Sequence, residues 1–535
     1  MPRLVPLLLA ALLTATAADT PALEPLDADA LSDTLRRLID THPTAKRTNV
    51  ALKVTDLETG RVLFDQHSDK LFTPASNLKI YTSAAALALL GPDHRWTTRV
   101  AWHSHNFLPG IALLPGADPM LDMTQLNEIA ERTAKAIREH DPGEIGPNYM
   151  DGFMVSLLSN KAWRHVPLKG PGWMWDDDPD YYNMSIRDIM LDFNVLTAIA
   201  KPDPEGPLIS VSLRIDPQSG KHIRVPSALF EKFPRSAYPS ENFQRAHPNR
   251  DGYTLADPDR PLSLTRRPFE DEIIVEGNIE PDAGPVKERL TVHDPRPWVS
   301  SVFANLLLEQ NLPLTQKNGH AIYEHGLYAS AMKPNVFIEH QGKTNAEAVK
   351  HFLKVSENAV GEMLLLTLSE KFGDGEKVSW PSGAKVITNW LTDEAGLEKG
   401  SFRLVDGSGL SRYNLISADS SIRLLSYMKN DSEHFEPFFD GLPVYKVKLP
   451  KGGGEKWGGV PLAEFDTERV FAKSGGMSGV STISGYVQTL DGRWLAFSLL
   501  GNGFIGSAAP VRDLRNQVWA ELVRYQPAAA AVPAE

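Results

Sequence analysis

The two ends of the chain carry complementary secondary-structure patterns, and these constrain the fold more strongly than any other feature. Near the N-terminus, apolar residues at helical spacing over 31–39 precede two strand-like runs around the turn Glu58–Gly60. Near the C-terminus, a short strand and a hairpin over 480–500 precede a helix that begins at Pro510. We therefore predict an α+β domain with one antiparallel sheet of about five strands, covered on one face by both terminal helices. A helical cluster is expected on the other face.

The middle of the chain has a different residue pattern. From 93 to 290, Pro, Gly and Asp interrupt short apolar stretches, a pattern that favours strands joined by loops. Helical patterns return after 291, where Thr344–Glu347 has the sequence of a capping box. We therefore predict a discontinuous main domain formed by 19–92 and 291–527. Mainly β inserted domains, two of them nested, are expected to interrupt it at 93–290.

Composition excludes several classes of function. The 535 residues are 42% hydrophobic and 23% charged, as in soluble proteins of two or three domains. A formal charge of −12 argues against a nucleic-acid-binding protein and against a polybasic membrane-surface protein. The chain has no cysteine, which excludes disulfides, thiolate zinc sites and cysteine nucleophiles. We expect no cofactor and no metal.

The first residues have the pattern of a secretory signal. Arg3 precedes an apolar stretch from Leu4 to Leu13 that is too short to span a bilayer, and Ala15–Ala17 fits a cleavage site. The alternative, an N-terminal core helix, is disfavoured by the Thr and Ala residues that follow Leu13. We predict a signal peptide at 1–18, export to the periplasm with at most peripheral membrane contact, and a flexible tail at 528–535. The oligomeric state stays open.

Ser76 and Lys79 form the first candidate catalytic pair. They lie three residues apart where a Pro and small residues lead into an Ala- and Leu-rich helical run, so their side chains share one helix face. A lysine whose pKa is lowered by burial can activate such a serine without a histidine. The S-x-x-K pattern alone is weak, because it also occurs at Ser330–Lys333, Ser382–Lys385 and Ser426–Lys429.

Two further motifs follow in order. Ser356-Glu357-Asn358 is an S-x-N in a predicted helical stretch, and Lys473-Ser474-Gly475 is the one K-[S/T]-G of the chain, on a predicted strand. A second S-x-N at 240–242 lies in a Pro-rich loop, where its side chains would be poorly fixed. The ordered set S-x-x-K, S-x-N and K-S-G is far more specific than any single motif.

With these motifs the chain resembles the low-molecular-mass class C penicillin-binding proteins, the D-alanyl-D-alanine carboxypeptidases/endopeptidases. The long separation of Ser76 from Ser356 is typical of this class, which carries domains inserted at that point. Further segments that resemble the family are Leu90–Trp96, Gly172–Asp176, Asn358–Leu364, Asp406–Arg412 and Ser484–Tyr486. The resemblance implies a penicillin-binding/β-lactamase-like fold, action on peptidoglycan stem peptides and inhibition by β-lactam antibiotics.

The resemblance also implies roles for the motif residues. Ser76 would be the acylated nucleophile and Lys79 its general base, and Ser356 and Lys473 would carry the proton to the leaving amine. Asn358 would hold the substrate amide. The backbone N–H groups of Ser76 and Gly476 would form the oxyanion hole, where each donor is typically worth about 100- to 1000-fold in rate. Ser474 would bind the terminal carboxylate, with Gly475 and Gly476 beside it.

The family binds the free D-centre of the stem peptide with an acidic residue, an aromatic residue and an arginine. The matching positions are Asp177, Tyr182 and Arg412, with Met477 and Ser478 in the same pocket. An Asp–Arg pair suits a centre that carries an ammonium and a carboxylate. Adjacent aspartates leave Asp176 and Asp178 as alternatives, and the acidic run could equally be a solvated loop or a weak calcium site.

Gly476 departs from the family, which usually has a hydroxyl residue at this position. The departure removes one contact to the substrate carboxylate and makes carboxypeptidase activity less secure than acylation by β-lactams. The predicted function is a serine-type D-Ala-D-Ala carboxypeptidase and/or D,D-endopeptidase. The alternatives are a β-lactamase or esterase on the same scaffold, and a non-catalytic cell-wall-binding protein.

Overall fold

The structure is a computed structural model. It describes residues 25–105, 108–139, 152–202, 209–214, 262–266, 268–269, 273–276, 284–317, 320–321, 323–328, 335–375, 377–448, 456–457, 460–461 and 467–527. The predicted signal peptide, the predicted tail and the S-x-N at 240–242 lie outside the described residues.

The N-terminal part has the predicted order of helix, hairpin and helix. Helix α1 begins after Asp27, whose carboxylate accepts hydrogen bonds from the Asp29 and Ala30 N–H groups at 3.1 and 2.9 Å. A short 3₁₀ turn at Ala75–Leu78 leads directly into the second helix. The elements are α1 (Ala28–Thr41), β1 (Asn49–Asp56), β2 (Val62–Gln66) and α2 (Lys79–Leu90).

The inserted part contains two larger sheets and two long helices. A mixed five-stranded sheet has the order β13-β5-β4-β3-β14, and an antiparallel three-stranded sheet has the order β10-β6-β7. The strands are β3 (Arg95–His105), β4 (Leu108–Leu114), β5 (Met154–Ser159), β6 (Val195–Pro202), β7 (Ile209–Arg214), β8 (Ser263–Arg266), β9 (Ile273–Glu276), β10 (Val286–Thr291), β11 (Gln316–Lys317), β12 (His320–Ala321), β13 (Tyr323–Tyr328) and β14 (Asn335–Thr344), and the helices are α3 (Met123–Glu139) and α4 (Pro295–Glu309).

The inserted part differs from the prediction in its C-terminal boundary and in its helix content. Helix α4 packs against β5 and β13, and its Trp298 and Phe303 share a core with Leu126 of α3. Strand β14 pairs with β3 from Asn335 to Thr344. The insertion therefore runs to Thr344 rather than 290, and its larger sheet carries helices instead of being mainly β. The apolar face of a helix is visible in sequence, but the core that buries it is not.

The C-terminal part supplies the rest of the main domain. Helix α5 begins with the predicted capping box, in which Thr344 Oγ1 accepts from the Glu347 N–H and Glu347 accepts from the Thr344 N–H. The elements are α5 (Asn345–Val355), α6 (Asn358–Phe372), α7 (Trp380–Asp393), β15 (Phe402–Arg403), β16 (Leu415–Ile416), α8 (Ala418–Asn430), α9 (Phe435–Gly441), β17 (Val444–Lys446), β18 (Lys456–Trp457), β19 (Val460–Pro461), β20 (Glu468–Met477), β21 (Val480–Gln488), β22 (Trp494–Asn502) and α10 (Ala509–Leu522).

The central sheet joins the two ends of the chain. Its order is β17-β20-β21-β22-β1-β2, so the short edge strand β17 adds a sixth strand to the five expected. Strand β1 pairs with β22 without a register shift, from Asn49↔Asn502 to Asp56↔Leu495. Successive residues alternate between faces, so Leu52 packs under the terminal helices while Ala51 faces the helical cluster. Fully burying a leucine side chain contributes about 1.5–3 kcal/mol, which favours this register over a one-residue slip.

Helices α1 and α10 cover one face of the sheet, and helices that include α2, α5 and α6 form the cluster on the other. None of the described helices combines the length and apolar character needed to cross a bilayer.

Candidate active site

Ser76 lies on the strained turn that begins α2. The preceding residue, Ala75, has a φ of 49°, in the left-handed region that L-residues rarely adopt. Two glycines permit other segments to approach this turn closely. A Cβ on Gly409 would lie 2.0 Å from the Ala75 carbonyl oxygen, and one on Gly475 would lie 2.2 Å from that of Pro74. The loop at 406–412 and strand β20 therefore hold the serine turn from two sides.

Lys79 is fully buried next to Ser76. Its ammonium lies within hydrogen-bond distance of three oxygens: Ser76 Oγ at 3.0 Å, Asn358 Oδ1 at 2.6 Å and the Ser408 carbonyl at 2.7 Å. Burial, and then the charge of Lys473, lower the pKa of Lys79 to about 7. Nearby carboxylates oppose the shift without cancelling it. Near neutral pH the amine can lose its proton, and its lone pair then faces the serine hydroxyl.

Two buried carboxylates, to which the sequence motifs assigned no role, support this arrangement. Glu362 accepts hydrogen bonds from the Ser408 N–H at 2.8 Å and from Trp380 Nε1 at 2.6 Å. Asp406 accepts from the N–H groups of Gly409 and Ser411 at 2.8 and 2.6 Å. Together they fix the loop whose Ser408 carbonyl contacts Lys79. Glu362 could have been found from the sequence, because it lies within the apolar run 359–368 and a charged residue is rarely buried without a partner.

The S-x-N motif lies between two helices rather than within one. Ser356 has a left-handed backbone with a φ of 65° between α5 and α6, which corrects the prediction of a continuous helix. Asn358 is the first residue of α6. Its Oδ1 accepts from Lys79, and its Nδ2 donates to the Tyr182 carbonyl at 2.9 Å. One amide hydrogen of Asn358 therefore remains for a substrate.

The K-S-G motif lies on β20 as predicted, but its two side chains occupy opposite faces. Lys473 is 3% exposed, and burial lowers its pKa to about 8. Ser474 pairs across the sheet with Ile483, a residue of the core beneath the terminal helices. Its hydroxyl accepts a hydrogen bond from Tyr445 at 3.3 Å. With Gly475 it lines a separate cavity of about 160 Å³, so its role as a carboxylate ligand stays a prediction.

Gly476 borders both this small cavity and the main one. A Cβ at this position would meet only the Val480 carbonyl oxygen, at 4.0 Å. A steric clash therefore does not explain why a glycine replaces the hydroxyl residue of the family at this position.

A cavity of about 1260 Å³ brings most of the predicted site residues together. It is lined by residues from all three motif regions and from the predicted D-centre pocket: Ser76, Ser356, Asn358, Gly476, Met477, Ser478, Asp176, Asp177, Tyr182 and Arg412. The Tyr182 hydroxyl lies 2.8 Å from Asp180 Oδ2 and 3.1 Å from Asp177 Oδ1, so the two carboxylates share its single O–H donor. Arg412 Nη1 donates to the Ser478 carbonyl at 3.2 Å. Burial raises the pKa of Asp177, and the charge of Arg412 opposes that shift.

The three adjacent aspartates have different surroundings. Asp178 is buried, and its Oδ1 lies 2.8 Å from Lys169 and 2.7 Å from Arg266. It therefore connects this loop to β8 and does not face the cavity. Asp176 and Asp177 both line it, and the contact with Tyr182 favours Asp177 as the pocket carboxylate. No group of three or more potential metal ligands occurs among the described residues.

The competing S-x-x-K matches lack this chemistry. Lys385 is 62% exposed and pairs with Asp374. Lys429 Nζ lies 4.1 Å from the centre of the Phe435 ring. Ser330–Lys333 lies outside the described residues.

An antiparallel sheet beside a helical cluster, with a serine and a buried lysine where they meet, defines the class as that of the penicillin-binding proteins. The chain matches the model of the D-Ala-D-Ala carboxypeptidase 3 (S13) family over residues 31–228 and 235–523. It therefore belongs to that family, among the low-molecular-mass class C penicillin-binding proteins.

Individual relatives agree with this assignment. The chain is 28% identical over 469 residues to a D-alanyl-D-alanine carboxypeptidase of Actinomadura sp. (strain R39), covering 85% of this chain and 78% of the relative. It is 24% identical over 194 residues to the D-alanyl-D-alanine carboxypeptidase DacB of Haemophilus influenzae, covering 35% of this chain and 39% of the relative.

The comparison with solved structures confirms the predicted fold class. Penicillin binding protein 4 (dacB) from Haemophilus influenzae superposes with a TM-score of 0.65 at 17% identity, covering 92% of this chain and 99% of that one. The same protein complexed with a β-lactam superposes with a TM-score of 0.62 at 16% identity, again covering 92% and 99%.

Proposed function

We propose that the chain is a serine D-alanyl-D-alanine carboxypeptidase and/or D,D-endopeptidase that acts on peptidoglycan stem peptides and is acylated by β-lactams at Ser76. The observation that carries this proposal is the 3.0 Å contact of the fully buried Lys79 amine with Ser76 Oγ. A burial-lowered lysine pKa near 7 supplies the base that a serine requires. The predicted signal peptide supports a further proposal, that the enzyme works in the periplasm.

The reaction follows from this contact. Ser76 Oγ attacks the carbonyl carbon of the penultimate D-residue while its proton passes to Lys79 Nζ. The backbone N–H groups of Ser76 and Gly476 stabilise the oxyanion. The peptide C–N bond then breaks, and the leaving amine takes the proton held by Lys79, relayed through Ser356 and Lys473. Water next attacks the ester carbonyl and gives a proton to Lys79, which is neutral again. The ester C–O bond breaks, Lys79 returns the proton to Ser76 Oγ, and the shortened peptide is released.

The deciding experiment follows penicillin on the purified chain by intact-mass spectrometry over time, with peptide mapping of the adduct. We expect one penicilloyl adduct on the peptide that contains Ser76, persisting long after excess drug is removed. Rapid loss of the adduct with turnover of penicillin would favour the β-lactamase alternative. Absence of any adduct would favour the non-catalytic cell-wall-binding protein.

Recognition of the D-centre gives a second prediction. We expect Asp177→Asn and Arg412→Gln each to lower kcat/KM for peptides with a free D-centre by roughly 10- to 100-fold, because each removes a charge-assisted contact. Hydrolysis of a simple thioester that lacks the centre should change little. Asp176→Asn is the matched control in the same acidic run. A larger loss from Asp176→Asn, or equal losses on both substrates, would contradict the assignment.

A further inference from the structure

Arg289 brings a cation from the inserted part of the chain to the catalytic cavity. It lies on β10 and lines the same cavity as Ser76. Its side chain is 43% exposed, so its guanidinium is accessible from the cavity. Arg289 belongs to none of the sequence motifs described above, because it lies in the inserted part of the chain.

The guanidinium of Arg289 retains unused hydrogen-bond donors. Its central carbon lies 4.3 Å above the centre of the Tyr181 ring. Its Nη2 lies 3.9 Å from Glu357 Oε2, which is an ion pair but is too long for a hydrogen bond. Within the described part of the chain it donates no hydrogen bond, although a guanidinium carries five N–H donors.

In the charged pair formed by Arg289 and Glu357, the cation is the more exposed partner. Glu357 is only 7% exposed, whereas Arg289 is 43% exposed. Of the other described cations that line the cavity, Lys343 lies 3.5 Å from Asp122, and Arg412 is assigned to the D-centre. Arg289 is therefore the lining cation best placed to receive an additional anion.

Strand β10 also fixes the side of the cavity to which Arg289 belongs. It contacts the loop that carries the D-centre pocket, through an isolated bridge from Leu290 to Asp180 and a 3.1 Å bond from the Thr291 N–H to the Pro179 carbonyl. In the proposed function that loop lies on the acyl side of the substrate, because the D-centre belongs to the acyl donor. The leaving-group side would lie along β20 near the K-S-G motif, where Gly476 lines the cavity.

We propose that Arg289 binds a carboxylate of the stem peptide that lies upstream of the D-centre, so that the insert selects anionic acyl donors. The inference rests on the proposed function and adds a subsite to it. A carboxylate can accept two parallel hydrogen bonds from a guanidinium, a geometry that lysine or a neutral amide does not reproduce. Tyr181 keeps the guanidinium plane in place for this contact.

The test uses two stem pentapeptides that differ only at the second residue, where a γ-linked D-glutamate carries either its free α-carboxylate or the α-amide. We expect Arg289→Gln in the full chain to lower kcat/KM for the carboxylate peptide roughly tenfold, mainly through KM. The amide peptide and the rate of acylation by penicillin should be unchanged. Arg289→Lys should give an intermediate loss. Lys287→Gln, two residues earlier on the same strand and exposed, is the matched control and should behave as wild type.

Two outcomes would overturn the proposal. Equal losses on both peptides and on penicillin would mean that Arg289 positions the Ser356–Asn358 segment through Glu357. Unchanged kinetics on both peptides would mean that it contacts no substrate. If Arg289→Gln does not fold, the preference of Arg289→Lys between the two peptides decides in its place. Failure of the proposed function is seen separately, as absence of a penicillin adduct on the wild-type chain.

Discussion

Replacing Ser76 by alanine will abolish both the penicillin adduct and the release of D-alanine from a stem pentapeptide. In the proposed mechanism the acyl chain is transferred to the hydroxyl of Ser76, so removal of that hydroxyl leaves no covalent route. The fold should persist, because the side chain is part-buried and the turn is held by Gly409, Gly475 and the Asn77 bond to the Lys473 carbonyl at 2.9 Å. Intact mass and D-alanine release measure the two losses.

Ser382→Ala is the matched control for this prediction. Ser382 belongs to a second S-x-x-K at the start of a helix, but its lysine pairs with Asp374. This variant should label with penicillin at the wild-type rate. An adduct of unchanged mass and rate on Ser76→Ala would contradict the assignment of the nucleophile.

The elements near the two ends of the chain were predictable from sequence, because strand alternation and helix periodicity are local properties. The strand-like runs on either side of the turn Glu58–Gly60 predicted the first two strands, and pairing of β1 with β22 follows from closure of the sheet. The boundary of the insertion was not predictable in the same way. Trp298 and Phe303 show that α4 has an apolar surface, but only tertiary packing shows that this surface belongs to the insert.

The candidate site shows the same division between local and tertiary information. The pairing of Ser76 with Lys79 follows from helix geometry, whereas the support of Lys79 by Ser408 comes from a loop more than 300 residues away in sequence. The orientation of Ser474 was available from sequence, because neighbouring residues of a strand point to opposite faces. The carboxylate-binding role of Ser474 was instead implied by the family resemblance, which does not take the strand alternation into account.

Replacing Lys79 by methionine will slow acylation by penicillin roughly 100- to 10,000-fold, the range typical of a general base. Methionine keeps the length of the side chain but has no amine to accept the Ser76 proton. Lys385→Met, at the second S-x-x-K, is the matched control and should acylate normally. Stopped-flow fluorescence with a fluorescent penicillin measures the acylation rate, and circular dichroism checks the fold. A Lys79→Met variant that acylates at the wild-type rate would show that Lys79 is not the general base.

The pH profile tests the same chemistry without changing Lys79. An amine accepts a proton only in its neutral form, and burial lowers the pKa of Lys79 to about 7, so the acylation rate should rise with pH through that value. In the proposed mechanism Lys473 must be protonated, and burial lowers its pKa to about 8, so the rate should fall as pH rises beyond that value. The two limbs give a bell-shaped profile.

Lys473→Arg separates the two limbs. Arginine keeps its charge at high pH, so the falling limb should disappear while the rising limb stays near pH 7. A wild-type rate that is flat from about pH 6 to 8 would show that Lys79 is not the titrating base. A falling limb that persists in Lys473→Arg would assign it to another group. Both results bear on one physical cause, because burial lowers the pKa of both lysines toward neutrality.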